Sequence, residues 1–327
     1  DFAGGDGDCL SAADPSEGTY CPGGGDVDGD GFCEQIFIAH DGATNPSVEG
    51  WVAPAAAGGQ NREGANEDLG AGNCAAPCPF WRVIDDGTAS GNLGAYSAGP
   101  FPYDHPGGWE LRARVRVDPL LPGQAEPQRY SRMLLARFPA GGDTREFSVI
   151  FGKTADDAMI ARASGIAFNH DIGSTFDYHD VRIVYSPATG TADLLVDGVV
   201  LRRDMTGTVL TGTQVNNVQW GSGSSADTGG THWHSVAVEV APDTDDDGIP
   251  NLVETGTHGT DPYAADSDDD GLPDGVELLG GTDPLDADGD GDGLLDGYEV
   301  AAGLNPASPD DAALDGDGDG LSALQEQ

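Results

Sequence analysis

Trp109-Glu-Leu-Arg-Ala-Arg-Val-Arg-Val117 decides the fold class. Apolar side chains at 109, 111, 113, 115 and 117 alternate with Glu110, Arg112, Arg114 and Arg116. A two-residue period gives one buried and one wet face only in an extended strand. Outward from this stretch, further strands are expected at Arg145 to Phe151, Asp180 to Tyr185, Ala192 to Val196, Val199 to Leu201, Val215 to Trp220 and Trp233 to Val240. Asp197-Gly198 falls between two apolar runs and reads as a two-residue hairpin, because both turn positions need positive φ. No helix-period stripe of comparable length is present, so residues 36–241 are expected to form a mainly β sandwich.

Composition supports many turns and few long helices: 51 glycines and 21 prolines in 327 residues. Fifty-seven acids against fourteen bases give a formal charge of -43, which repels the phosphates of nucleic acids and anionic membranes. The one lysine is Lys153, and the arginines lie between Arg62 and Arg203. From Pro242 to Gln327 there are 25 acids and no lysine or arginine, a composition shift that marks a domain boundary. No apolar run approaches the roughly 20 residues that cross a bilayer, and the chain opens at Asp1 without a signal-peptide core, so a mature or trimmed chain is expected. Cys9, Cys21, Cys33, Cys74 and Cys78 sit in the Gly-rich first quarter and read as disulfides of a secreted, extracellular or cell-surface protein. The odd count leaves one thiol over, and zinc is the alternative, although the spacings are not a repeated C-x2-C pair. Residues 1–35 are thus expected to be a disulfide-rich N-terminal segment.

The strongest signal is an internal repeat in residues 242–327. Its first copy places Asp243, Asp245, Asp247, Ile249, Asn251 and Glu254 at positions 1, 3, 5, 7, 9 and 12 of a loop with Gly248 at position 6. The second has Asp266, Asp268, Asp270, Leu272, Asp274 and Glu277, and the third Asp288, Asp290, Asp292, Leu294, Asp296 and Glu299. The fourth has Asp315, Asp317, Asp319, Leu321 and Glu326, with Ala323 at position 9, where water is expected instead of a carboxylate. Starts are 23, 22 and 27 residues apart. Hard oxygen ligands in this number, a backbone carbonyl at position 7 and a glycine at the sharp turn suit Ca2+ better than zinc, copper or Mg2+. Four calcium sites are expected here. Asp26, Asp28, Asp30 and Glu34 look like the same device truncated, a fifth site. Carboxylates about 4 Å apart repel by about 1 kcal/mol in water and about 4 kcal/mol at an effective dielectric of 20, so an empty loop should open. With few apolar residues to bury, ligation is expected to replace much of the missing core.

These repeats, with the connectors Gly259-Thr-Asp-Pro262 and Gly281-Thr-Asp-Pro284, resemble thrombospondin type 3 repeats. That resemblance implies a calcium-wrapped ribbon with little regular secondary structure, short helical turns after Pro250, Pro273 and Leu294 also being compatible. His40-Asp-Gly-Ala-Thr-Asn-Pro-Ser-Val-Glu-Gly-Trp51, Tyr178 to Pro187, Thr191 to Gly198 and Trp233 to Glu239 resemble the concanavalin A-like (laminin G-like) jelly roll of secreted bacterial proteins. This second resemblance speaks to fold more than to activity.

No G-x-S-x-G, P-loop or H-E-x-x-H occurs, nor the E-x-D-x-x-E run of family-16 glycanases on that fold. No catalytic residue is expected and the protein is read as not an enzyme. The leading expectation is a non-catalytic, calcium-binding structural or adhesive protein whose ends could join into a filament or matrix. The alternative is a lectin-like glycan-binding module, in which Arg112, Arg114 and Arg116 recognise an anionic sugar, against the plainer reading that they pair with the chain's own acids. A polysaccharide-cleaving enzyme ranks last. Trp51, Trp81, Trp109, Trp220 and Trp233 are expected in the core rather than on a sugar platform.

Overall fold

The computed structural model describes residues 35–52, 62–67, 78–86, 95–117, 133–153, 158–163, 170–222, 228–316 and 320–327. Cys78 is the one cysteine within them, so they contain no pair from which the expected disulfides could be read. Asp26, Asp28, Asp30, Glu34, Asp317 and Asp319 also lie outside them.

The chain divides into two compact units, of which one is Ile36–Val240 and the other includes Ala241–Gln327. The first is a two-sheet sandwich. One sheet runs β12 (Val199–Met205), β11 (Thr191–Val196), β10 (His179–Ser186), β5 (Trp109–Val117), β15 (Thr228–Val240), β3 (Cys78–Asp86) and β2 (Arg62–Glu67), with β1 (Gln35–His40) also on β15. The other runs β4 (Tyr96–Ala98), β14 (Asn217–Gly221), β6 (Met133–Ala140), β7 (Asp143–Lys153), β8 (Ala158–Ala163) and β9 (His170–Ser174), with β13 (Thr208–Leu210) beside β7.

The alternation in β5 works as its sequence requires. Trp109, Leu111, Ala113, Val115 and Val117 enter the core between the sheets, against Leu134, Ala136 and Phe138 of β6 and Phe147, Val149 and Phe151 of β7. Burial of that apolar face drives the packing of sheet on sheet. In β15, Trp233 points inward, and so do Val236, Val238 and Val240, which a strict two-residue period forbids. A register shift between Trp233 and Ser235 resolves the conflict by inserting an extra residue, so that both halves of the strand face the core. Asp197 and Gly198 turn the β11–β12 hairpin with φ of 50° and 75°. Gly141 and Gly142, at 61° and 95°, turn β6 into β7 in the same way. All five tryptophans are core residues.

The second unit departs from the expected ribbon. Each acidic loop is followed by a short helix: α1 (Asn251–Val253, prolonged by a π-helical turn over Glu254–His258), α2 (Asp274–Gly280), α3 (Asp296–Ala302) and α4 (Ala323–Glu326). Little regular secondary structure was the wrong expectation, and with it falls the likeness to an extended thrombospondin type 3 ribbon. The physical reason lies in positions 9 and 12. A helical turn brings residues three apart onto one face, which is what turns Asp274 with Glu277, and Asp296 with Glu299, inward. Pro250 and Pro273 precede the first two helices with extended ψ of 136° and 142°. Gly259, Gly281 and Gly303 end the first three in the left-handed region, at 84°, 89° and 76°.

Candidate metal centres

The loops are built by their own backbone amides. The position 6 glycine donates its N–H to the position 1 aspartate in every copy: Gly248 to Asp243 Oδ2 at 2.9 Å, Gly271 to Asp266 at 2.9 Å, Gly293 to Asp288 at 3.0 Å and Gly320 to Asp315 at 3.0 Å. Those glycines have φ between 96° and 102°, a region where a side chain is strained. At position 7, Ile249, Leu272 and Leu294 donate to the position 5 carboxylate at 2.7, 2.7 and 2.9 Å. At position 9, Asn251, Asp274 and Asp296 close the loop by accepting the position 2 N–H at 2.9, 2.8 and 2.9 Å.

These bonds gather carboxylates in a stretch, residues 242–327, that contains no lysine or arginine. Asp243, Asp245 and Asp247 offer oxygens all within 4.8 Å of one another, and so do Asp266, Asp268 and Asp270. Two further groups of the same tightness cross from one copy to the next: Asp247 and Glu254 with Asp274, and Asp270 and Glu277 with Asp296. Gly275 and Gly297 make this contact possible, since a Cβ there would meet the carbonyl oxygens of Asp247 and Asp270. Glu254, Glu277 and Glu299 are fully buried. Both carboxylate oxygens of Glu277 and of Glu299, Oε2 of Glu254 and Oδ2 of Asp296 meet no hydrogen-bond donor among the described residues.

Such an arrangement is costly without a cation. Burial first, and the neighbouring aspartates second, push Glu254 up to about 9 and Glu277 and Asp245 up to about 8. Glu299 is raised to about 7 for the same two reasons, Asp290 being its first charged neighbour. These clusters can coordinate a divalent metal ion, and the buried bare oxygens fit one. The fourth copy differs: Asp315 and Glu326 are exposed.

A different group was not legible as a site. His40, Asp41 and Glu49 also bring one ligand atom each within 4.8 Å. His40 is buried, stacked on Trp220 at 4.9 Å, and its Nδ1 lies 2.6 Å from Glu49 Oε2. Burial lowers His40 to about 4 and raises Glu49 to about 7, so burial favours the uncharged form of each. The stretch from His40 to Trp51 carries a fold resemblance only; which of its polar side chains meet depends on the Asp41 carboxylate capping the N–H groups of Ala43 and Thr44 at 2.9 Å.

The arginine row lies on the outer face of the larger sheet and is mostly matched by the chain's own acceptors. Arg112 meets Glu239 at 2.9 Å, and Arg182, its cross-strand neighbour, meets Glu110 at 3.7 Å and Asp180 at 3.4 Å. Arg116 is fully buried, donating to the carbonyl of Phe176 at 3.3 Å and lying 5.3 Å over the Tyr178 ring. Arg114 is half-buried, opposite Asp180.

No family model matches the chain, and no curated relative matches it. No described helix is long and apolar enough to cross a membrane. Solved structures similar to it include a carbohydrate esterase from Shiga toxin-encoding bacteriophage phi24B, at 14% identity over 63% of this chain and 99% of that one, TM-score 0.42. An endo-beta-1,4-glucuronan lyase from the fungus Trichoderma reesei shares 10% identity over 63% of this chain and 95% of that one, TM-score 0.40. An alginate lyase from Pseudomonas aeruginosa shares 13% identity over 57% of this chain and 87% of that one, TM-score 0.35. The expectations of a structural or adhesive filament protein, of no enzyme, and of polysaccharide cleavage in last place are corrected: the similar solved structures named here are a carbohydrate esterase, a glucuronan lyase and an alginate lyase. The missing motifs never excluded catalysis, because on a sandwich the reacting side chains come from separate strands. At these scores the likeness assigns this chain no activity, and what its own atoms display is a sandwich in one unit and a row of candidate cation sites in the other.

Proposed function

We propose that Ala241–Gln327 is a calcium-binding module of an extracellular protein, ordered by its ions, and that its loops use positions 1, 3, 5, 7 and 12 as ligands. One observation carries this reading: Glu254, Glu277 and Glu299, at position 12 of the first three copies, are fully buried with carboxylate oxygens that meet no donor among the described residues. Burying a bare carboxylate costs far more than any loop contact returns, whereas a bound dication satisfies several at once. Oxygen-only donors in this number favour Ca2+, and an affinity of about 0.1 to 1 mM, usual for extracellular modules, would keep the sites filled outside a cell. Calorimetry on the metal-free chain, with circular dichroism alongside, should show heat and new helical signal on adding calcium and little with magnesium. A flat titration with an unchanged spectrum would overturn the reading.

A second reading concerns the sandwich, as a module that binds an anionic glycan. It is supported by the outer face of the larger sheet, where Arg82, Arg112, Arg114 and Arg182 are half-exposed in a protein that is otherwise strongly acidic. Guanidinium groups spaced along adjacent strands match carboxylate or sulfate groups along a sugar chain. A glycan array in millimolar calcium should show binding to uronate or sulfated polymers that Arg112→Gln with Arg114→Gln abolishes; a blank array removes it.

A further inference from the structure

We propose that Asp311, carried by the longer connector before the fourth repeat, is a ligand residue of a cation site between the third and fourth repeats, replacing the acid which the fourth repeat lacks at position 9. This rests on the calcium reading above.

Position 9 faces two ways. In the second and third copies its carboxylate closes its own loop and also joins positions 5 and 12 of the copy before it. The residue at position 9 follows what precedes it. The first copy has no preceding loop and carries Asn251, whose amide is used up within its own loop, accepting from Thr244 N at 2.9 Å and donating to Thr244 Oγ1 at 2.7 Å. The fourth copy has a preceding loop but carries Ala323. Its backbone is nonetheless placed like the others: the position 9 N–H donates to the carbonyl just before position 1 at 3.0, 2.9, 3.1 and 2.8 Å in the four copies. Only the carboxylate is missing there.

The connector supplies one. The third and fourth copies start 27 residues apart, where the earlier starts are 23 and 22 apart. The added length holds Asp310 and Asp311; the first is exposed and the second is 7% exposed. Asp311 Oδ2 accepts Asn305 N at 3.1 Å, while Oδ1 is buried and meets no donor among the described residues. The next residue, Ala312, donates its N–H to Asp292 Oδ2 at 3.2 Å. That contact reproduces the one by which Gly297, following Asp296, donates to Asp270 Oδ2 at 2.8 Å. Asp311-Ala312 therefore stands to the third loop as Asp296-Gly297 stands to the second. Glu299, fully buried with both oxygens bare, completes the set with Asp292. Capping Asn305 would account for one oxygen of Asp311 and leave the other buried for nothing. Three converging carboxylates and no base in this segment call for a dication, in the same class of site as the two formed between the earlier copies.

The test counts calcium ions on the full chain by native mass spectrometry and calorimetry with calcium alone, comparing the natural chain, Asp311→Asn and Asp310→Asn. The Asn substitution keeps the acceptor for Asn305 and removes the charge. It should lose one ion, or weaken one site about tenfold or more, while Asp310→Asn titrates like the natural chain. Glu299→Gln combined with Asp311→Asn should cost no further ion beyond the more damaging single change, because the two residues serve one site. Tryptophan near-UV dichroism, which reads only the sandwich, checks that the rest of each variant is folded. An Asp311→Asn chain that binds as many ions as tightly as the natural one overturns this proposal alone, as would separate, additive losses in the double variant. A natural chain that binds no calcium sinks the calcium reading itself.

Discussion

The sandwich and the acidic repeats solve the same problem with opposite chemistry. In the sandwich, Trp109, Leu111, Phe147 and Trp220 are withdrawn from water by two sheets facing each other, and the buried carboxylate of Glu146 meets a base, Arg137, at 2.6 Å. In the repeats the fully buried side chains include Glu254, Asp274, Glu277, Asp296 and Glu299, and few apolar groups accompany them. One unit carries its stabilising chemistry within the chain; the other crowds carboxylates that can coordinate a divalent metal ion. Apolar burial is indifferent to calcium and to pH, whereas a carboxylate cage depends on both.

Chelation should break the comparison most sharply. Adding EGTA to the calcium-loaded protein should remove amide-exchange protection from the loops and helices of Ala241–Gln327 and leave strands such as β5 and β7 protected. Equal loss in both units would show that the repeats do not depend on metal.

Acidity sharpens it next, with opposite signs in the presence and absence of calcium. Without metal, Glu254 and Glu277 have folded values of about 9 and 8 against a usual 4.5. Their folded forms hold protons that the unfolded chain releases, so this contribution is fully present below about 4.5 and is lost as pH rises through 8 to 9. Metal-free repeats should therefore gain helical dichroism as pH falls from 9 toward 5. In calcium the same protons compete with the ion, and acidification should release it and loosen the fold.

Trp109→Ala should destabilise the sandwich by about 3–5 kcal/mol, read by denaturant melting of the tryptophan signal, with calcium stoichiometry unchanged. Gly297→Ala should cost about 1–3 kcal/mol in the repeats, read by calcium-dependent melting of their helical signal, because a Cβ there would press on the Asp270 carbonyl. A neutral Gly297→Ala would mean that adjacent copies do not stack as the structure has them.

Much of this contrast can be read from the residues. The two-residue period of β5, the Asp197-Gly198 turn and the four-fold recurrence of acids at fixed spacing depend on neighbours within about a dozen positions, where local geometry suffices. The Gly141-Gly142 hairpin belonged to the same legible class and was passed over, although paired glycines with positive φ are a turn signal of equal strength. Helical turns after Pro250, Pro273 and Leu294 are compatible with the sequence, but glycine-rich acidic loops do not show that these turns aim positions 9 and 12 at one point. The meeting of His40 with Glu49 depended on a turn conformation that letters do not display.

By itself the order of residues determined that one region would bury apolar faces in sheets and that the other would crowd carboxylates into loops, since periodicity and charge act between near neighbours. Tertiary structure alone decided which carboxylates face each other across copies. Asp274 meets Glu254 and Asp296 meets Glu277 because α2 and α3 each lay their first turn on the preceding loop, and Ala312 of the connector donates to Asp292. Contacts of that kind join residues some 20 positions apart through the path of the backbone, and no spacing rule within a single repeat contains them.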